Sequence, residues 1–557
     1  MIEPTGASTA RTAGHSRGLE ALLVFVIVLG ACLWRLGGGP LAGTEAHRAI
    51  GAHQMAESGQ WLVPRLWDQP YLRKPPLHYW VLAATERLAG RGGEWLWRLP
   101  SAVASALLAV LLFLMADRWF GRPAGLIAGL SYLGLVALWS QSRKADLDAL
   151  HTLAVVASAL FLLELGAAPP GRRWRWVLPA GLSFGAALLL KGPAGLPVIV
   201  GAVVGPPLVN RTWKRLRRPH VWVALLSGTA IFGAWALAAY QVSRSGGRPA
   251  DLSGLGDLVH HLTRIDADRI LKAITLPLVL AAYALPLSLA VPIALLPDTA
   301  PTRPAWRRVR GLGGAVVVAL VAGVLGRVVN PRYMFIVMPL LCPLAGAIGV
   351  AWKAGVYHAS IERLLRTIMG VTAVVLAAVN LGLAGTVRLR FEAQETWLLA
   401  AAGMAVVAGV WTMRCWSLRR HAAGSVGMVV LLLLLMFPFA ALKVHDRIAR
   451  SSYHAALELR SIIGASRVTA GHWVLNGPEL FHYAEADVDF RPGGLTDPAG
   501  FSSDRWVVFH SREWKIWEAR MPERFTRVTV LGTRRRNAIL AWYVADPAEA
   551  AAPERSW

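Results

Sequence analysis

The sequence predicts an α-helical polytopic membrane protein with a small α/β domain at its C-terminal end. Of the 557 residues, 55% are hydrophobic and only 16% are charged, whereas charged residues make up about a quarter of a typical soluble domain. About thirteen apolar runs follow one another, each near the ~20 residues that a helix needs to cross the hydrocarbon of a bilayer. These observations exclude a disordered chain and disfavour a cytosolic enzyme.

The first apolar run, 19–36, is predicted to be a membrane span and not a cleaved signal peptide. It is too long for a typical signal-peptide core, and no A-x-A-like cleavage site follows it. The other spans are predicted near 99–116, 123–140, 148–167, 175–190, 194–210, 220–241, 271–296, 311–328, 333–352, 367–387, 397–413 and 424–443.

Arginine-rich loops alternate along the chain and set the predicted topology. The formal charge of +25 is spread over these loops and not gathered on one basic face, so no nucleic-acid partner is expected. Under the positive-inside rule the loops are cytoplasmic, as is the tail 1–18. An odd number of spans then places the C-terminal end outside. The loops are 117–122, 171–175, 210–218, 302–310, 353–366 and 413–420.

Two long segments are predicted outside the membrane. The first, 40–98, is an outer loop of the membrane domain 19–444 and contains helices at 45–57 and 76–89 that lie along the outer surface. The second, 445–557, alternates strand-like runs (RVTAGHWVL, RWVVFH, RVTVLG and ILAWYV) with helices near 446–462 and 511–519. That alternation is typical of a small α/β domain.

Ionisable residues from distant parts of the chain share the predicted outer side. Charges at a membrane boundary are costly, so they are functional candidates by default. We predict catalytic roles for Glu45 and Asp148. The predicted substrate-binding residues are His47, Arg48, Tyr71, Arg73, Lys74, Arg143, Lys191, Arg332 and Tyr333. No spacing typical of a metal site is present, and no metal or other cofactor is expected.

Lys74 stands directly before Pro75-Pro76, a pair that predicts the start of a helix. The free N–H groups of a helix start, together with an ammonium group, suit an anion and especially a phosphate. The alternative is a lysine that reaches toward lipid headgroups.

The carboxylates have less specific signals. Asp146 and Asp148 are two residues apart, so on a helix they point to nearly opposite faces and do not form an acid/base dyad. Glu45 is placed to accept a proton from an acceptor hydroxyl or to orient it. The structural alternatives are a solvated pair at a helix start for Asp146 and Asp148, and for Glu45 a first-turn residue behind Thr44 as N-cap.

Several segments, in order over about residues 20–345, resemble a known family. They read TEAHRAIGAHQM, SGQWLVPRL, PYLRKPPLHYW, WRLPSAV, SRKADLDAL, LLLKGPAG and PRYMFIVMPLLCP. The chain resembles the polyprenyl-phosphate-dependent glycosyltransferases of the GT-C superfamily, in the bacterial branch that includes lipid A aminoarabinose transferases and protein O-mannosyltransferase relatives. KPPL in its context is the specific segment.

The resemblance implies transfer of a sugar from a polyprenyl phosphate to a lipid A-like lipid, a glycan or a protein, on the outer face of the bacterial cytoplasmic membrane. Lys74, Arg143, Asp148, Lys191 and Tyr333 match motif positions of the family. On chemical grounds, lysines and an arginine such as Arg332 would stabilise the leaving phosphate.

The chain also departs from the family pattern. The family's acidic pair in the first outer loop reads Thr44-Glu45 here, so only the glutamate remains, and the position before the KPP lysine, often a glutamate tied to a metal, is Arg73. These differences argue against transferring either a metal site or the substrate of the best-known family members to this chain. Two alternatives to a transferase remain: a polytopic transporter and an inactive lipid-binding relative. The span count allows a transporter, but the sequence shows no internal repeat of the kind that many transporters have.

Overall fold

The computed structural model describes residues 6–66, 69–72, 74–90, 92–245, 267–295, 303–326, 328, 330–391, 396–450, 453–464 and 466–471, with short segments of 480–543. The chain divides into two compact units. The first consists of Met1–Leu36, Leu72–His78 and Arg98–Lys443, and the second of Gly37–Tyr71, Tyr79–Trp97 and Val444–Trp557.

The first unit is built mostly from long apolar helices, as expected, with a few short helices between them. They are α1 (Gly6–Leu33), α4 (Glu94–Phe120), α5 (Arg122–Ser131), α6 (Val136–Ser142), α7 (Asp148–Ala167), α8 (Trp174–Lys191), α9 (Leu196–Asn210), α10 (Pro219–Ser245), α11 (Ala267–Tyr283), α12 (Ala290–Leu295), α13 (Arg303–Leu325), α14 (Leu341–Lys353), α15 (Ala359–Phe391), α16 (Thr396–Ser417) and α17 (His421–Arg450). α4 begins, and α17 ends, in residues of the second unit.

Ten helices in the described part of the chain are long and apolar enough to cross a membrane, or eleven if a bent pair counts as one span. The pair Ile274–Tyr283 and Leu287–Leu295 bends by 117°. The predicted span 123–140 is not one helix, because the chain breaks between α5 and α6. A span count near thirteen therefore exceeds the number of unbroken helices.

The stretch Trp174–Asn210 passes the same test as a single 37-residue segment, but it consists of α8 and α9. Lys191, at the end of α8, pairs with Asp148 at the start of α7. Arg215, just after α9, lines a cavity together with Glu164 near the end of α7. The two helices therefore run along α7 in opposite directions, as the separate predicted spans 175–190 and 194–210 require.

Small residues allow α9 and α13 to pack backbone against backbone. A Cβ on Gly201 would lie 2.3 Å from the carbonyl oxygen of Ala315, and one on Gly205 would lie 2.4 Å from the Ala315 nitrogen. The spacing of these two glycines is the small-xxx-small pattern that lets apolar helices approach closely in a membrane.

The second unit begins with two helices that confirm the predicted pair. α2 is Thr44–Ser58 and α3 is Leu77–Ala89, with a short hairpin of β1 (Arg65–Leu66) and β2 (Gln69–Pro70) between them. Ten of the residues of α2 are buried, including the polar residues Glu45, His47 and Arg48. α2 is therefore a packed helix, and not a helix exposed along one face.

The last part of the second unit is a mixed sheet, whose strands follow α18 (Tyr453–Ile463) along the chain. The strands are β3 (Val468–Gly471), β4 (Val488–Arg491), β5 (Arg505–His510), β6 (Phe525–Leu531) and β7 (Ala538–Tyr543), in the order β4-β3-β5-β7-β6. β3 is parallel to β4 and β5, whereas β7 is antiparallel to β5 and β6. This sheet confirms the small C-terminal α/β fold.

The sequence analysis did not predict β4. Its four residues alternate apolar and charged side chains, but the run is too short to stand out as a strand. Most of the helix expected at 511–519 lies outside the described residues.

Candidate active site

The central acidic residues stand where helix α7 begins. α7 starts at Asp148, whose negative charge in the first turn suits the positive end of the helix. Asp146 precedes the helix in a turn and accepts a hydrogen bond from the backbone of Leu147 at 2.9 Å. The expectation that Asp146 and Asp148 point to opposite faces was wrong, because it assumed that both lie on one helix.

Two basic residues reach this turn from distant parts of the chain. α8 ends at Lys191 because Gly192 follows with φ 61° and Pro193 comes next. Arg332 lies in the short 3₁₀ helix Pro331–Tyr333, where the Asn330 side chain accepts a hydrogen bond from the Arg332 backbone at 3.0 Å. Each side chain thus leaves the point at which a local element ends or begins.

Asp148 holds both basic side chains. Its Oδ1 lies 2.6 Å from Nζ of Lys191, and its Oδ2 lies 2.5 Å from Nε of Arg332. Asp146 binds the same guanidinium at 2.5 Å through Nη2. The two carboxylates therefore share Arg332, and Asp148 links it to Lys191.

The cluster combines buried and accessible groups. The side chains of Asp146 and Asp148 are each 5% exposed and that of Lys191 is 9% exposed, whereas Arg332 is 38% exposed. Burial lowers the pKa of Arg332, but the charges of Asp148 and Asp146 outweigh it and raise the pKa above the ordinary value. Arg332 thus presents a permanent positive charge at the accessible edge of the cluster.

Three more residues surround this cluster. Nζ of Lys191 lies 4.6 Å from the ring centre of Tyr333, which is within cation–π range. The charge of Lys74 acts electrostatically on buried His151, as do those of Lys191 and Asp148, so Lys74 belongs to the same end of α7. Nε2 of His151 has no hydrogen-bond partner among the described residues. The structure therefore brings together five of the predicted residues, Lys74, Asp148, Lys191, Arg332 and Tyr333.

Arg143 has a different environment from the one predicted. Its guanidinium donates to the backbone carbonyls of Ala31, Cys32 and Trp34, at 3.3 and 2.8 Å for the first two. These carbonyls lie at the C-terminal end of α1, where they have no hydrogen-bond donor within the helix. The geometry favours capping of α1 over phosphate binding, and substrate binding by Arg143 stays a prediction.

Arg98 makes a similar contact and was not identified from the sequence. It is fully buried and donates to the Leu36 carbonyl at 3.1 Å. An arginine inside the run WLWRLPSAV gives no signal, other than the cost of its burial, that it fixes another segment.

The predicted residues of the first outer segment form their own group within the second unit. Glu45, His47 and Arg48 are buried in the first turns of α2. Oε2 of Glu45 accepts a hydrogen bond from the Ala42 backbone at 3.4 Å, and no side chain caps α2, whose N-cap is Gly43. The alternative of Thr44 as N-cap was therefore wrong.

Arg48 and His47 fix neighbouring aromatic residues. Arg48 donates to the hydroxyl of Tyr79 in α3, and its guanidinium lies 5.4 Å from that ring centre. His47 lies 3.2 Å from the Gly43 carbonyl oxygen and 6.0 Å, ring to ring, from Tyr71. Arg73 lies outside the described residues.

The Asp148 cluster can hold a phosphate group. Three cations, Lys74, Lys191 and Arg332, collect at one end of α7 against two carboxylates, and Arg332 keeps part of its surface open. Charge-assisted bonds of this kind are about twice as strong as neutral ones. Both Asp148 oxygens accept hydrogen bonds from cationic side chains. This carboxylate is therefore better suited to positioning those side chains than to removing a proton from a substrate.

Comparisons with known proteins agree with the family resemblance. Residues 73–237 match a family model described as dolichyl-phosphate-mannose-protein mannosyltransferase. An undecaprenyl phosphate-alpha-4-amino-4-deoxy-L-arabinose arabinosyl transferase from Edwardsiella ictaluri is 30% identical over 200 residues, or 35% of this chain and 36% of that protein. A second such transferase, from Pseudomonas fluorescens, is 26% identical over 317 residues, or 55% of this chain and 54% of that protein. The matches thus span about a third to a half of these curated relatives.

The fold similarity extends over nearly the whole chain. The crystal structure of ArnT from Cupriavidus metallidurans bound to undecaprenyl phosphate superposes with a TM-score of 0.69 at 20% identity, over 96% of this chain and 99% of that one. The described residues therefore have the ArnT fold. The predicted resemblance to GT-C polyprenyl-phosphate glycosyltransferases is confirmed, and the chain is a multi-pass membrane protein.

Proposed function

We propose that the protein is a membrane glycosyltransferase that transfers a sugar from a polyprenyl-phosphate donor to an acceptor of the cell envelope. The observation that carries the proposal is the Asp148–Lys191–Arg332 cluster beside Lys74, in a chain with the ArnT fold. The relatives named above are aminoarabinose transferases. A lipid A-like lipid is therefore the favoured acceptor, ahead of a glycan or a protein.

The reaction exchanges one bond at the anomeric carbon of the sugar. An acceptor oxygen bonds to this carbon while the bond to the phosphate oxygen breaks, and its electron pair leaves with the polyprenyl phosphate. The phosphate changes from a singly charged diester to a monoester with a second ionisable oxygen. Cations fixed beside that oxygen stabilise the transition state more than the ground state.

Lys74, Lys191 and Arg332 supply those cations. Lys191 and Arg332 are held by Asp148 before substrate binds, so their reorganisation during the reaction is small. Tyr333, beside Lys191, limits where the ammonium group can move. Asp148 acts in this scheme as a positioning residue.

The acceptor determines what Glu45 does. A hydroxyl acceptor has to lose its proton, and a carboxylate such as Glu45 is the natural base. A phosphate acceptor is already a nucleophile and needs positioning alone. We place this chemistry on the outer face of the bacterial cytoplasmic membrane, with the N-terminus in the cytoplasm, because of the alternating arginine-rich loops.

The test is donor consumption by purified full-length protein in lipid nanodiscs. We expect release of polyprenyl phosphate from a polyprenyl-phosphate sugar in the presence of envelope lipids, followed by mass spectrometry of the products. Lys74→Ala should abolish or strongly reduce this release without changing the melting temperature. Lys353→Ala, an exposed lysine at the end of α14, is the matched control. Full activity of Lys74→Ala would remove Lys74 from the site.

A further inference from the structure

A second polar site lies at the other end of α7. A cavity of about 460 Å³ is lined by Trp119, Glu164, Arg215, Arg307 and Arg308, with apolar walls. Glu164 is sixteen residues beyond Asp148 on the same helix, which corresponds to roughly 24 Å along the axis. That distance approaches the ~30 Å of the hydrocarbon core. The cavity is therefore separate from the candidate active site and lies toward the membrane side that the arginine-rich loops mark as cytoplasmic.

Glu164 organises the cavity without neutralising it. Its carboxylate is 2% exposed and accepts from Nε of Arg118 at 2.9 Å and from Nη1 of Arg308 at 3.1 Å. It also accepts from the Trp119 indole at 2.6 Å. Both oxygens are thus occupied by fixed donors. Glu164 holds Arg308 and Trp119 in place, and has little capacity for a further cation.

Arg215 and Arg307 carry charge that no carboxylate balances in the described part of the chain. The cavity lining contains three arginines and one glutamate. Burial lowers the pKa of Arg215, and the charges of Arg218, Arg307 and other nearby arginines lower it further. Such a group of like charges is unfavourable by itself, and an anion placed among them would relieve the repulsion.

The shape and lining of the cavity fit a phosphate attached to an apolar body. A guanidinium group can bind a phosphate through two parallel N–H···O hydrogen bonds, which is why arginine is common at phosphate sites. Leu163, Pro206 and Leu312 form part of the wall, and they offer apolar surface beside the charges. A volume of about 460 Å³ lies in the range of small-molecule sites, about 300–1,000 Å³.

We infer that this cavity, built on Glu164 and lined by Arg215, Arg307 and Arg308, is a binding site for a phosphate-bearing anion. Two sources supply this chemistry at that side of a membrane: the headgroup of an anionic phospholipid, and a soluble phosphate compound. Basic pockets between helices on the cytoplasmic side are suited to anionic headgroups. The site is independent of the proposed transferase activity.

The test measures lipid and phosphate binding to the full-length protein by native mass spectrometry in detergent. Phosphatidylglycerol is titrated against the wild type, Arg307→Gln and the double variant Arg215→Gln/Arg307→Gln, with phosphatidylcholine as the neutral lipid. Each lost arginine should weaken phosphatidylglycerol binding about fivefold, as expected for one basic residue near an anionic lipid. Lys214→Gln removes an equal charge from an exposed position beside Arg215 that does not line the cavity, and it should leave binding unchanged.

Inorganic pyrophosphate distinguishes the two sources. Selective loss of phosphatidylglycerol binding in the arginine variants, without competition by pyrophosphate, supports a headgroup site. Binding of pyrophosphate that displaces the lipid and weakens in the same variants supports a site for soluble phosphate. Equal lipid and pyrophosphate binding by the wild type and the double variant, or an equal loss in Lys214→Gln, would overturn the inference. Arg307 is exposed, so Arg307→Gln keeps the test decisive if the double variant does not fold.

Discussion

Replacing Asp148 by asparagine tests whether this residue positions the cationic cluster. The substitution preserves size but removes the charge that binds Lys191 at 2.6 Å and Arg332 at 2.5 Å. The pair with Lys191 is almost fully buried, and loss of one partner of a buried pair costs about 3–5 kcal/mol. Arg332 is 38% exposed and keeps its ion pair with Asp146. Loss of the Asp148–Arg332 pair therefore adds about 1 kcal/mol at most. We expect the free energy of unfolding to fall by about 3–5 kcal/mol.

Turnover should fall as well, because the Lys191 ammonium loses its fixed position. A displacement of about 1 Å in a reacting group costs on the order of 10² in rate. The assay is initial-rate donor hydrolysis or transfer over a pH series, with thermal melting measured on the same samples. Asp146→Asn, which removes one of the two carboxylates that bind Arg332 and leaves the Asp148–Lys191 pair in place, should lower the rate less.

A double substitution separates positioning from base catalysis. If Asp148 acts through Lys191, Asp148→Asn combined with Lys191→Met should lose less activity than the sum of the two single losses, and the shape of the pH–rate profile should stay the same. Additive losses, or disappearance of one limb of the profile in Asp148→Asn, would refute positioning and indicate a general base. An unchanged rate and melting temperature would remove Asp148 from the site altogether.

Three further predictions concern other parts of the chain. Glu45→Gln should reduce turnover by about 10² to 10⁴ if the acceptor is a hydroxyl, and much less if the acceptor is a phosphate. No loss of turnover in Glu45→Gln would contradict both the base role and the positioning role of Glu45. A rate gain in Thr44→Asp would show that the geometry for the family's acidic pair is intact. Arg143→Met should lower the melting temperature, because backbone carbonyls at the end of α1 lose their donors, and an unchanged melting temperature with lost donor affinity would instead favour phosphate binding. Reporter fusions near 215 and 460 should lie on opposite sides of the membrane, and the same side for both would refute the topology.

The apolar runs and their lengths determine that this chain is a helical membrane protein, because that information is local. The start of α3 directly after Pro75-Pro76, and the strands β5 and β7 within RWVVFH and ILAWYV, likewise follow from nearby residues. KPPL, SRKADLDAL and LLLKGPAG were sufficient to suggest the family and to select Lys74, Asp148 and Lys191 as candidate site residues. The exact role of each of these residues did not follow, because a motif specifies which residue is present and not what it contacts.

Only the tertiary structure decided the partners of these residues. Arg332 is 184 residues from Asp148 along the chain, and no spacing rule connects them. The helix register at 146–148 is fixed by the turn before α7, so both carboxylates bind one guanidinium although alternation predicted opposite faces. Arg143 lies in a motif that predicts an active site, yet its guanidinium caps α1. Glu164 lies at what reads as an ordinary span end, yet it organises a basic cavity. Burial and long-range ion pairing arise when helices pack, and local sequence carries little of that information.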